Sequence, residues 1–229
     1  MIKKFIAHNS KDIQRGDIVK MGKWEQDLTV RGNEDIEWIV INVEEDRILV
    51  ISKYNLKTEM MFHNEKELTY PMVPATEVTW ETCTLRKYLN ERFYKSEAGF
   101  LEYEKSIIPT STIVNKDNPE TGRSGGNNTQ DKIFCLSVEE FENYVSDLDP
   151  DLIYPPATQA QIQQGYYHSC WWLRTPGKLN DDWDIAYAVG KNGLFYGWNA
   201  NIDHSVPHAR PAMYITKGKD DYYMCNRIY

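Results

Sequence analysis

Two runs of β-branched and aromatic residues, separated by a short polar turn, constrain the fold of this chain most strongly. Residues 36–43 read Ile-Glu-Trp-Ile-Val-Ile-Asn-Val, and residues 47–52 read Arg-Ile-Leu-Val-Ile-Ser. The Glu-Glu-Asp at 44–46 between them suits a turn. Such residues favour β-strands, and the apolar run of the second strand is typical of burial on both faces of a sheet. The pattern predicts a hairpin at the centre of the sheet.

Other parts of the chain carry weaker strand signals. The Gly-Lys-Asn-Gly at 190–193 lies between two apolar runs and indicates a second hairpin. Further strands are predicted at residues 16–22, 132–136, 185–189, 194–198 and 209–215. The chain therefore contains antiparallel hairpins early and late in the sequence.

Hydrophobic spacing predicts only a few helices. Residues 79–94 repeat apolar side chains at helical intervals with charges between them, at Leu85, Tyr88, Leu89 and Phe93. Ser137 and Glu140 have the spacing of a capping box, which predicts a helix through Tyr144. Shorter helices are predicted at 100–107, before Pro109, and at 157–164. Together with the hairpins, these helices predict a single α+β domain over residues 1–229.

The segment 115–130 has almost no apolar residue to bury. It reads Asn-Lys-Asp-Asn-Pro-Glu-Thr-Gly-Arg-Ser-Gly-Gly-Asn-Asn-Thr-Gln. Small, polar and glycine residues of this kind are typical of turns and surface connections. The segment is predicted to be a surface loop that can be mobile.

Charge and cysteine content exclude several classes of protein. The 26 Lys and Arg residues against 34 Asp and Glu residues give a net charge of -8 without a basic stripe, so no nucleic acid is expected as a partner. The four cysteines lie far apart, which indicates reduced thiols rather than a zinc site or a disulfide scaffold; they are Cys83, Cys135, Cys170 and Cys225. No signal peptide or membrane span is expected, and a cytoplasmic, soluble protein is the default expectation, with export of the native protein left open.

A co-linear series of short motifs carries a resemblance. The series is Gly16-Asp17-Ile18-Val19, Ile36-Glu37-Trp38, Val50-Ile51-Ser52-Lys53, Thr79-Trp80-Glu81 with Leu85–Asn90, Trp171–Gly177 and Arg210-Pro211-Ala212. It resembles an uncharacterised bacterial family, a domain of unknown function with a "WWLRSPG" box, over residues 16–215. This chain departs from the pattern at Thr175 and Cys83, where serine is common. The resemblance implies similarity to C-type-lectin-like folds, including formylglycine-generating-enzyme-like and retroelement-diversified variable proteins, with a loop-rich C-terminal sheet.

The C-terminal third holds the candidate ligand-binding residues. Residues 195–208 combine aromatic side chains with short polar ones, a composition that is typical of paratopes. With the 178–184 loop and one exposed Trp, they form the predicted site: Trp172, Arg174, Asp182, Trp183, Phe195, Tyr196, Trp198, Asn199, Asn201, Asp203, His204 and His208. Their residue types also resemble those left by adenine-directed diversification in lectin-fold variable proteins. The sequence therefore predicts non-catalytic recognition of a glycan or a protein.

A structural interpretation of the same residues remains open. Trp171 and Trp172 are neighbours, so on a strand one fills the core while the other is free to line a groove. Arg174 and Arg210 could bind a carboxylate or sugar hydroxyls, but arginines beside turns more often tie loops together through carbonyls and carboxylates.

Catalytic and metal-binding alternatives have weaker support in the sequence. Asp203, His204, Ser205 and His208 include the residue types of a hydrolytic triad but lack a nucleophile elbow. Cys170 with His168 could form a thiolate and its base. The acidic run 181–184 has no calcium-loop spacing, and the histidines, His63 included, are too scattered for zinc. No catalytic residue, metal or cofactor is therefore assigned; a hydrolase and a structural or assembly module of a surface or phage-related protein remain the alternatives.

Overall fold

The computed structural model mixes helices with mostly antiparallel strands, as the sequence predicts. It describes residues 6–9, 13–26, 32–56, 62–63, 78–96, 99–155, 158–163, 170–178, 186–190, 193–196, 207–218 and 222–227. Within these ranges the strands are β1 (Ile6–Asn9), β2 (Asp17–Trp24), β3 (Glu34–Val43), β4 (Arg47–Ser52), β5 (Ser111–Ile113), β6 (Thr129–Asp131), β7 (Trp171–Pro176), β8 (Ala186–Gly190), β9 (Gly193–Tyr196), β10 (Ala212–Thr216) and β11 (Tyr222–Arg227).

The helices are short. They are α1 (Thr84–Lys87), which continues as a π-helical segment over Tyr88–Phe93, α2 (Glu102–Ile107), α3 (Val138–Tyr144), α4 (Pro150–Ile153) and α5 (Gln159–Gln163). The predicted capping box is confirmed, because Ser137 accepts a hydrogen bond from the amide of Glu140 while the Glu140 carboxylate accepts one from the amide of Ser137.

The predicted central hairpin is confirmed in the largest sheet. Six strands are ordered β1-β11-β2-β3-β4-β10, with every neighbouring pair antiparallel. Strand β3 lies in the interior of this order, and its Trp38, Ile39 and Val40 are fully buried. Strand β4 is buried along nearly its whole length, as its apolar run predicts.

A bulge in β2 fixes helix α2 against this sheet. The β2–β3 register shifts between Lys20 and Lys23, around Gly22, which has a φ of +70°. The amide of Gly22 donates to Oε1 of the buried Glu104 at 2.9 Å, and the ring of Phe100 packs directly over the glycine. A glycine serves here because the backbone is left-handed and a Cβ would meet Phe100 at 2.8 Å.

Two predictions for residues 79–94 and 132–136 are wrong in detail. Helix α1 begins at Thr84, because residues 79–82 form a turn and Cys83 is an extended N-cap. The segment 132–136 is not a strand but makes an isolated bridge between Phe134 and Ala212 of β10. The side chain of Asn90, in the π-helical segment, accepts from the amides of Lys132 and Ile133 and donates to the Ile133 carbonyl. Bonds to a side chain 42 and 43 residues away therefore replace a ladder there.

The segment 134–136 joins the large sheet to a second, three-stranded sheet. On one side, Phe134 and Ala212 exchange two backbone hydrogen bonds. On the other, the amide of Arg174 in β7 donates to the carbonyl of Leu136 at 2.9 Å. The second sheet has the order β7-β8-β9, and its described hairpin β8–β9 is the one that the Gly-Lys-Asn-Gly turn predicts.

A buried aspartate links the turn before α1 to the short sheet β5–β6. The carboxylate of Asp131 accepts from Trp80 Nε1 at 2.9 Å, from Arg86 Nε at 2.7 Å and from Thr129 Oγ1 at 2.7 Å. Three bonds compensate the cost of burying the charge. Trp80 and Leu85 of the Thr-Trp-Glu and Leu-Arg motifs are buried in the core, and the partly exposed Arg86 pairs with Asp131.

Candidate functional site

At one end of the three-stranded sheet lie the described residues that precede the two predicted binding segments. In the register of β7-β8-β9, Pro176 pairs with Ala186 and Tyr187 pairs with Tyr196. The end of β7, the start of β8 and the end of β9 therefore lie at the same end of the sheet, called here the Pro176 end. Lys178, the last described residue after β7, and Tyr196, the last residue of β9, both lie at this end.

The predicted site residues fall into three groups. Asp182, Trp183, Trp198, Asn199, Asn201, Asp203 and His204 lie outside the described residues. Phe195 and Tyr196 lie in β9, the latter at the Pro176 end. Trp172, Arg174 and His208 are buried.

Neither tryptophan of the pair is an exposed aromatic. Trp171 is fully buried, donates from Nε1 to the carbonyl of Ile153 at 3.1 Å and packs edge-on against Phe141. Trp172 is 5% exposed and packs against Phe62, with ring centroids 5.6 Å apart. The expectation that one of these two rings lines an open groove does not match this burial, because both faces of β7 are covered.

Arg174 ties β7 to helix α3 and to β5. Its Nη2 donates to Oε1 of Glu140 at 2.9 Å and its Nη1 donates to Oε2, a bidentate pair. The same guanidinium donates to the carbonyls of Cys135 at 2.8 Å and Val114 at 3.2 Å. A bulge in β7 between Trp172 and Pro176 accompanies this placement. The guanidinium is used internally and offers little to a ligand.

Arg210 is fully buried and holds three backbone carbonyls. Its guanidinium donates to Ser52 at 2.9 Å, to Ile153 at 3.0 Å and to Leu152 at 2.6 Å. It also lies 4.8 Å from the centroid of the Trp171 ring. Burial lowers the pKa of Arg210 to about 9, which still leaves the group mainly charged at neutral pH. The cation joins the end of β4 to the C-terminal carbonyls of α4.

His208 lies beside β7 rather than in the open loop predicted for it. Its amide donates to the carbonyl of Cys170 at 2.9 Å, and its carbonyl accepts from the amide of Trp172 at 3.1 Å. The residue is 2% exposed and bridges Trp171 in a parallel arrangement. The chain that leaves β9 at the Pro176 end has therefore crossed to the opposite end of β7 by residue 208.

The segment 115–130 is fastened to the Pro176 end. Asn118 is buried and donates from Nδ2 to the carbonyl of Pro176 at 2.8 Å. Glu120 accepts from Tyr187 Oη at 3.0 Å and pairs with Lys178 Nζ at 2.6 Å. The prediction of a polar loop is confirmed, but side-chain bonds rather than apolar burial hold it in place. Sequence periodicity could not find these contacts, because they join residues 58 and 67 positions apart.

The described thiols are unsuited to nucleophilic catalysis. Burial raises the pKa of Cys83 to about 12 and that of Cys170 to about 11, and it raises the pKa of Cys135 further. At neutral pH these groups are protonated, whereas a nucleophilic cysteine needs a thiolate. His168, which the sequence offers as a base for Cys170, lies outside the described residues. In the part of the chain that the structure describes, no three His, Cys, Asp or Glu side chains are grouped to hold a metal ion.

These features define a mixed α/β structure in which Trp80, Trp171, Arg174 and Arg210 of the motifs are buried and the segment 115–130 is fastened to one end of a small sheet. The chain belongs to the family described as a domain of unknown function (DUF6273), whose model matches residues 45–217. The match begins later than the residue 16 expected from the motifs, and it leaves out β1, β2, β3 and β11, four of the six strands of the large sheet.

Two further comparisons found no relative. No curated protein matches the chain, and no solved structure matches it. Among the described helices, none has both the length and the apolar content needed to span a bilayer.

Proposed function

We propose that this chain is a non-catalytic recognition domain, in which residues 178–184 and 195–206 form the ligand-binding surface, without the buried His208. The observation that supports the proposal is the register of β7-β8-β9, which puts Pro176 and Tyr196, the last strand residues before the two segments, at the same end of the sheet. Segments that leave a sheet side by side are suited to form one continuous surface, as binding loops on rigid scaffolds do.

The scaffold beneath this end supports the proposal. Arg174 fixes β7 through four hydrogen bonds, two to carbonyls and two to Glu140. Binding segments that leave a rigid support lose less conformational entropy when a ligand binds. The aromatic and short polar residues of 195–206 supply the contact area and adaptable hydrogen bonds that recognition requires.

The similarity of the fold to C-type-lectin-like folds is part of the same proposal. The antiparallel sheets, the few short helices and the segment 115–130 at one end of the small sheet support a C-type-lectin-like arrangement. Trp171–Gly177 would then be the form that a "WWLRSPG" box takes in this chain, and a bacterial source would follow from that box. An experimental structure compared with lectin-like folds tests this point, and a different strand order would reject it.

A binding array tests the proposed function. Wild-type protein and a Tyr196→Ala, Trp198→Ala, Asn201→Ala variant are applied to glycans and to bacterial surface proteins. Retained folding of the variant is checked by its unfolding midpoint. Specific binding that the variant loses is the expected result.

Two other outcomes have definite meanings. Binding that the variant retains places the site elsewhere and rejects the proposed surface. Absence of any specific ligand for the wild type rejects recognition of these two ligand classes and favours the hydrolase or assembly alternatives, which activity screens and measurement of oligomeric mass then separate.

A further inference from the structure

Residues 115–128, called here the polar loop, are a preorganised part of the Pro176 end. Asn118 accepts from the amides of Glu120 and Thr121 at 2.8 Å and 2.9 Å, which closes a turn on one side chain. Arg123 donates to the carbonyl of Val78 at 3.0 Å and reaches that of Gly177 at 3.5 Å. The loop is thus held both within itself and to the chain beneath it.

The second half of the polar loop is closely packed around its two glycines. A Cβ on Gly125 would lie 2.3 Å from the carbonyl oxygen of Lys116, and one on Gly126 would lie 2.7 Å from Oγ1 of Thr79. Asn115 donates from Nδ2 to the carbonyl of Asn127 at 2.8 Å across the loop. This geometry fixes the side chains that project outward, so a ligand would meet them without a large ordering cost.

The charged groups of the polar loop are paired or hydrogen-bonded within the protein. Lys116 pairs with Glu139 at 2.6 Å, and Glu120 pairs with Lys178 at 2.6 Å. Asp117 accepts from the amide of Gly125 at 3.0 Å. Beside the exposed carboxylates of Asp117 and Glu120, the loop presents the exposed hydroxyls and amides of Thr121, Ser124, Asn127 and Asn128. Each of these four makes one internal hydrogen bond, Asn127 to Oε2 of Glu81 and the others to backbone amides, and each keeps the capacity for a further one.

We propose that the polar loop is a third part of the recognition surface and that the ligand is an uncharged, hydroxyl-rich glycan. This inference rests on the proposed function and narrows its ligand class. Fixed amides and hydroxyls match the hydroxyls of a neutral sugar, which both donate and accept hydrogen bonds. The interface core of a protein partner instead favours aromatic, Met and Arg side chains, which the outward-facing part of this loop lacks. An anionic glycan would need free cations, whereas the loop's cations are engaged.

A glycan array with neutral, sialylated and sulfated members, run beside a surface-protein array, tests the inference. Wild type is compared with a Thr121→Ala, Asn127→Ala variant and with the Tyr196→Ala, Trp198→Ala, Asn201→Ala variant. A Ser106→Ala variant is the matched control, because Ser106 is an exposed residue on α2 whose hydroxyl donates to the carbonyl of Tyr103. All variants are first checked for an unchanged unfolding transition.

The expected result is wild-type binding to neutral glycans that the polar-loop variant weakens by roughly tenfold, since two hydrogen bonds to the ligand are lost. Ser106→Ala should bind as wild type does. If only the Tyr196 variant loses binding, the proposed function stands and the role of the polar loop is rejected. Binding confined to charged glycans or to proteins rejects the neutral-glycan ligand alone. If the wild-type protein binds nothing on either array, both proposals are rejected.

Discussion

Glu140 holds the guanidinium of Arg174 with both carboxylate oxygens while the same carboxylate caps helix α3. Oε1 accepts from Nη2 of Arg174 at 2.9 Å, and Oε2 accepts both from Nη1 and from the amide of Ser137. One side chain thereby fixes the start of a helix and the bulged strand β7. Because the Arg174 side chain is 4% exposed, its charge depends on this partner.

Replacing Glu140 with Gln should destabilise the protein strongly. The change leaves the buried Arg174 cation without a charged partner, and breaking such a pair typically costs about 3–5 kcal/mol. We expect the lower end of that range, since the Glu140 side chain is 21% exposed. Urea unfolding at pH 7 gives the free energy of unfolding.

Glu139→Gln is the matched control for this change. Glu139 is the neighbouring acid in the same helical turn, but it pairs with Lys116 at the surface, where both side chains are more than half exposed. An exposed pair contributes less than about 1 kcal/mol. Equal losses in the two variants would contradict the role assigned to Arg174.

Replacing Arg210 with Lys should also be costly, although the charge is kept. A single ammonium cannot reach the three carbonyls of Ser52, Leu152 and Ile153 in the geometry of the guanidinium fork. Each buried carbonyl left without a donor costs about 1–3 kcal/mol. We expect a loss of about 2–4 kcal/mol, measured by urea unfolding.

Arg15→Lys provides the comparison for Arg210. Arg15 also donates to backbone carbonyls, those of Ile41 and Tyr144, and it pairs with Asp147. Its side chain is 38% exposed, so water replaces the lost bonds. The expected loss is under about 1 kcal/mol. A loss for Arg210→Lys as small as this would show that packing, and not the three hydrogen bonds, determines the requirement for arginine.

Substitutions at two glycines allow the cost of backbone strain to be measured separately from the cost of steric contact. Gly16 and Gly22 both have positive φ, but a Cβ on Gly16 would meet nothing within 4 Å whereas one on Gly22 would lie 2.8 Å from the ring of Phe100. Gly16→Ala should cost roughly 1–2 kcal/mol from φ alone. Gly22→Ala should cost roughly 1–3 kcal/mol more, because Phe100 packs against Trp38 and Phe93 and cannot move freely.

Thermal and urea unfolding of the two alanine variants measure this difference. A Phe100→Leu change in the Gly22→Ala background should recover part of the steric loss. Equal costs at the two glycines would mean that Phe100 yields easily and that the bulge is set by φ alone.

Stability should fall at alkaline pH. The pKa values of Cys83 and Cys170 are raised from 9.0 to about 12 and about 11 by burial. Below pH 9 each thiol is protonated in both states and contributes no pH dependence. Between pH 9 and the folded pKa, the unfolded thiol releases a proton that the folded one keeps, so the free energy of unfolding falls as pH rises.

Cys83→Ala tests this pH dependence. Removing the thiol should flatten the slope of the unfolding free energy between pH 9 and 11 by about one proton, whatever its effect on stability at pH 7. The slope is the informative quantity because Cys83 also caps α1, which shifts the whole curve. An unchanged slope would show that this thiol ionises as readily in the folded protein as in the unfolded chain.

The sequence alone determined the elements whose signals are local. The hairpin of β3 and β4 follows from two apolar runs around a polar turn, and the start of α3 follows from the spacing of Ser137 and Glu140. In the site region, residue types alone drew attention to 178–184 and 195–208. These patterns are readable because strand pairing across a short turn and helix capping depend on residues only a few positions apart.

Tertiary structure decided what the polar motif residues contact. Arg174 and Arg210 look the same in sequence, yet one binds a carboxylate while the other binds carbonyls 57, 58 and 158 residues away. The bonds that fasten the polar loop to the Pro176 end, and the register that puts Pro176 and Tyr196 at the same end of the sheet, likewise join residues far apart in the chain. A hydrogen bond between residues far apart in the chain produces no periodic pattern in the sequence, because its partners come together only when the chain has folded.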